Sequence, residues 1–98
     1  MTVVLDTTPV EDLELLMKVK ELNNYGENDF DDGKITSLII DAKNYLLAAG
    51  VSKELVNSQY AVTVIACYVD DISYNRPLRD YIGQRITQLR MMSYGKWL

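Results

Sequence analysis

Carboxylates are the side chains of this chain best placed to do chemistry. The segment Glu27-Asn28-Asp29-Phe30-Asp31-Asp32-Gly33 gathers four of them, a density that suits a hard cation such as calcium. An EF-hand loop needs oxygen ligands at positions 1, 3 and 5, glycine at 6 and glutamate at 12. With Gly33 at position 6, Phe30 falls at 3 and Ile39 at 12. The cation reading fails there, and Asn28 or Asp29 is expected to cap a helix with Asp31 and Asp32 in its first turn.

Asp70-Asp71 is the second candidate, a carboxylate pair for acid-base work. Adjacent helical residues diverge by about 100°, so the two are not expected to face one substrate, and solvation of a helix end is the simpler role. Cys67 sits in an apolar run and has no histidine to activate it, which makes it a small core residue. The sequence holds no histidine and this one cysteine. That inventory removes Ser-His-Asp triads, Cys-His dyads, Cys/His zinc sites and disulfide scaffolds together. The five glycines are scattered, so no phosphate-cradling loop is expected. Neither an enzyme nor a cofactor is indicated.

Charge carries more information. Residues 1–33 hold nine acids against two bases, a net −7, whereas residues 75–98 hold five bases against Asp80 alone, a net +4. Such blocks are either solvated faces or complementary surfaces that fix the orientation of a partner. Glu11, Glu14, Asp31 and Asp32 mark the acidic surface, and Arg76, Arg79, Arg85 and Arg90 the basic one. Tyrosine is over-used, with seven copies among nine aromatics. The terminal group Met91, Met92, Tyr94, Trp97 and Leu98 is apolar and must fold back or dock on a neighbour.

The elements that position these groups are helices. With 98 residues, 48% of them apolar and 24% charged, the chain suits one folded domain. No run approaches the roughly 18 apolar residues of a membrane span, and the start lacks the build of a signal peptide. Thr8, Pro9 and Glu11 form a helix-start signature, with Val10, Leu13, Leu16, Met17 and Leu22 as the apolar stripe that follows. Ile35, Leu38, Ile39, Ala42, Tyr45, Leu46 and Ala49 give the strongest helical period, stopped by Gly50 with Val51 making the capping contact. Ser52 caps a short turn. The run from Tyr60 to Val69 is β-branched but too long for a strand, and it predicts a central helix apolar on most sides. Pro77 opens the last helix, with Leu78, Tyr81, Ile82, Ile86 and Leu89 facing inward. The expected fold is a single all-α domain, a small bundle of three long helices plus one shorter, with a lead over 1–7 and an extended tail over 91–98.

Three of these segments, in order, resemble the head-tail connector (adaptor) proteins of tailed bacteriophages. The family has a short helix ending in a Val-Lys-x-x-Leu-like segment, here the one-residue-shorter Val19-Lys20-Glu21-Leu22. An Asp-rich loop then leads into a Leu-Ile-x-x-Ala-x-x-Tyr-Leu helix, here Leu38-Ile39-Ile40-Asp41-Ala42-Lys43-Asn44-Tyr45-Leu46. An Ala/Val-rich helix ends in Tyr-x-Asn-Arg or a variant, here Gln59 to Val69 and then Ser73-Tyr74-Asn75-Arg76. The match spans Asp12 to Leu89, and the longer N-terminal stretch Met1 to Glu11 and the Trp97-Leu98 ending fall outside it.

The resemblance implies a non-enzymatic virion protein of the phage neck, assembled in the host cytoplasm. Its copies would form a ring of about a dozen on the portal protein by heterologous contacts, and hand on to a stopper or tail-completion protein. Genomic DNA would only pass through the channel. The competing reading is a small helical DNA-packaging or regulatory protein, which needs the four arginines on one exposed face.

Overall fold

A computed structural model describes residues 5–26 and 29–94. In order along the chain lie α1 (Asp12–Leu22), α2 (Asp32–Ala48), the one-turn α3 (Lys53–Val56), a 3-10 turn (Gln59–Ala61), α4 (Val62–Ser73) and α5 (Asp80–Ser93). The expected all-α bundle is present, with α2, α4 and α5 as the long helices, α1 as the shorter one and α3 as an added turn. Among the described residues there is no strand, only an isolated antiparallel bridge between Pro9 and Ser58.

α4 is the hub, packed against α1, α2 and α5. Its Val62, Val64, Ile65, Ala66 and Val69 are all buried, which is why a β-branched run forms a helix here. A helix apolar on most of its circumference gains more from burial on three sides than it loses in intrinsic propensity. α2 contributes Ile35, Ile39, Ala42 and Leu46 to the same cluster. Tyr45 and Tyr81, expected to face inward, are instead exposed, at 42% and 38%.

Three helices stop in the same way. α1, α2 and α4 are each followed, two residues on, by a residue with positive φ, respectively Asn24 (55°), Gly50 (96°) and Asn75 (53°). In each case the next amide reaches back to the carbonyl five residues earlier: Tyr25 to Lys20 at 2.9 Å, Val51 to Leu46 at 3.1 Å and Arg76 to Asp71 at 2.8 Å. These are Schellman caps, and Val51 buries its side chain as expected.

Three expectations for the helix starts are corrected. α1 starts at Asp12, not Pro9, and Glu11 is its cap residue with extended backbone. The Thr8 hydroxyl donates to Asp6 at 2.6 Å instead of capping, and the Val10 amide donates to the Asn57 carbonyl at 2.9 Å. Pairing with the segment before α4 outcompetes the local helix signal. Likewise α5 starts at Asp80 rather than Pro77, because the Arg79 amide is held by Asp71. α2 in turn is capped by Asp31 and not by Asn28 or Asp29: the Asp31 side chain, expected in the first turn, accepts the Lys34 amide at 2.8 Å.

The α1 face is also corrected. The helix buries Leu15 and Val19 and leaves Leu13 68% and Met17 62% exposed. The expected tail is shorter as well: α5 continues to Ser93 and Met92 belongs to the core. Trp97 and Leu98 lie outside the described residues, as do the first four residues of the lead.

Candidate functional site

The densest polar cluster joins the end of α4 to the start of α5. Asp71, expected at a solvated helix end, is only 2% exposed. One of its carboxylate oxygens accepts the backbone amide and the Nε–H of Arg79, both at 3.0 Å. The other accepts from Arg79 Nη2 at 2.8 Å and from Arg76 Nε at 3.3 Å. Asp70 binds Arg76 and Arg79 through one oxygen and accepts the Tyr25 hydroxyl at 2.9 Å through the other.

The 100° divergence of the two carboxylates is bridged because the chain turns back at Asn75 and brings both guanidinium groups over the last turn of α4. Hydrogen bonds from Arg79 hold the Asp71 carboxyl below the usual carboxylate range against the opposing effect of burial. The same contact raises Arg79 further. Burial, with help from Asp70, pushes Tyr25 up to about 12.

Aromatic rings extend the cluster. Phe30 meets Tyr25 edge-on at 5.0 Å and Tyr74 at 5.5 Å, and Arg76 lies over the Tyr74 ring at 5.0 Å. These acids have spent their lone pairs on fixed cations, so the cluster acts as an internal clamp between helices.

The other charged candidates are dispersed. Glu11 and Glu14 lie exposed at the start of α1, where Glu14 approaches Lys18 at 3.7 Å. Asp31 caps α2, and Asp32 pairs with Lys20 at 2.9 Å across the α1/α2 contact. Arg85 donates to the Tyr60 carbonyl at 2.9 Å and to Gln88 at 2.9 Å. Of the four arginines, three are therefore committed inside the molecule. The Arg90 side chain has no ion pair or hydrogen bond among the described residues, and it leans over Gly50 together with Tyr94.

No group of three or more His, Cys, Asp or Glu among the described residues is placed to hold a metal ion. None of the described helices is long and apolar enough to cross a membrane. Cys67 is half-buried against the core, and burial raises its thiol above the ordinary value, the reverse of what a reactive thiolate needs.

Sequence reasoning missed the outward face of α1. Leu13, Met17 and Glu21 form an i, i+4 row on the side opposite Leu15 and Val19. Asp12, Leu13 and Leu16 also line a shallow groove of about 280 Å³ with Thr36 and Ile39 of α2. Its only trace in the sequence is that α1 carries more apolar residues than one stripe can hold. Compared with protein-family models, curated proteins and solved structures, the chain matches none.

Proposed function

We propose that this chain is a structural subunit that works by assembly, forming a ring at the portal vertex of a tailed phage and linking the filled head to the tail-completion proteins. The observation that carries the self-assembly half of this reading is the exposure of Leu13 and Met17 directly opposite the buried face of α1. A small helical domain that leaves two large apolar side chains in water on one row has a surface to cover. The connector half rests on the three sequence segments that resemble that family.

The polar groups agree with this reading. Asp70, Asp71, Arg76, Arg79 and Arg85 satisfy one another or the backbone, which stiffens the subunit and leaves no arginine row for a DNA phosphate track. Without such a row, the direct DNA-binding reading loses the feature it needs.

Co-assembly tests the proposal. The full chain, mixed with portal rings from the same virion, should bind them and appear as added density by electron microscopy. A variant lacking residues 95–98 is the correct probe of the terminal segment, because removing 91–98 would also delete the core residue Met92. Portal rings that stay bare in the presence of the folded full chain would overturn the portal assignment.

A further inference from the structure

We draw no further inference here: the strongest candidate, the shallow groove between α1 and α2 beside exposed Leu13 and Met17, carries nothing, because nothing in the structure shows what covers it.

Discussion

Asp71, in the last turn of α4, holds the amide and the Nε–H of Arg79 on a single carboxylate oxygen, each at 3.0 Å. One side chain thereby fixes both where α5 begins and how the intervening loop returns, so the angle between the hub helix and the last helix depends on a buried carboxylate.

Replacing Asp71 with Asn should cost about 2–3 kcal/mol, the low end for breaking a buried ion pair because Arg79 keeps partial contact with water. Chemical denaturation followed by circular dichroism measures it. Arg79→Lys should cost about 1–2 kcal/mol, since an ammonium cannot reproduce the two-pronged contact. A loss under about 0.5 kcal/mol for Asp71→Asn would place the cluster among ordinary surface ion pairs.

Proton linkage gives the cluster a signature at both ends of the pH scale. Asp71 is lowered in the folded state from an ordinary 3.8. Its contribution is therefore complete above the ordinary carboxylate range and disappears as pH falls through 3.8 and below. Tyr25 is raised from 10.0 to about 12, so its contribution is complete below pH 10 and lost between there and about 12. Stability measured against pH should show both declines. Asp71→Asn should flatten the acid one, and Tyr25→Phe the alkaline one. An acid limb of unchanged slope in Asp71→Asn would assign that limb to other carboxylates.

Much of this arrangement was legible in the sequence. The period of α2, its stop at Gly50 and Val51, the Ser52 cap and the helical state of the β-branched α4 all followed from spacing, length and turn chemistry. The face of α1 did not. Leu13 and Met17 satisfy helical spacing as well as Leu15 and Val19 do, and only packing against α2 and α4 decides between them. The starts of α1 and α5 also escaped, because Val10 and Arg79 bond to Asn57 and Asp71 rather than locally. A signal for the clamp did exist: two acids ending a helix, then Asn75 as a left-handed turn residue, then arginines at 76 and 79.

The shared helix stop predicts how Asn24 and Asn75 respond to substitution. Glycine at Asn75 should leave stability unchanged or raise it by a few tenths of a kcal/mol. Valine should cost about 1–2 kcal/mol, because a β-branched side chain resists positive φ. Asn24 should follow the same order. Thermal melts of the paired variants give the comparison, and a tolerated valine at either position would contradict the cap.

The two faces of α1 should separate cleanly. Leu15→Ala should cost about 2–4 kcal/mol through the cavity it leaves. Leu13→Ser and Met17→Ser should change the stability of the monomer by no more than about 0.5 kcal/mol. Equal losses on both faces would mean that Leu13 and Met17 are covered within the monomer.

Assembly is read out by electron microscopy of the full chain incubated with portal rings. A closed, head-to-tail ring of about a dozen copies seated on the portal is the expected result. Two-fold dimers in solution beside bare portal rings would contradict it.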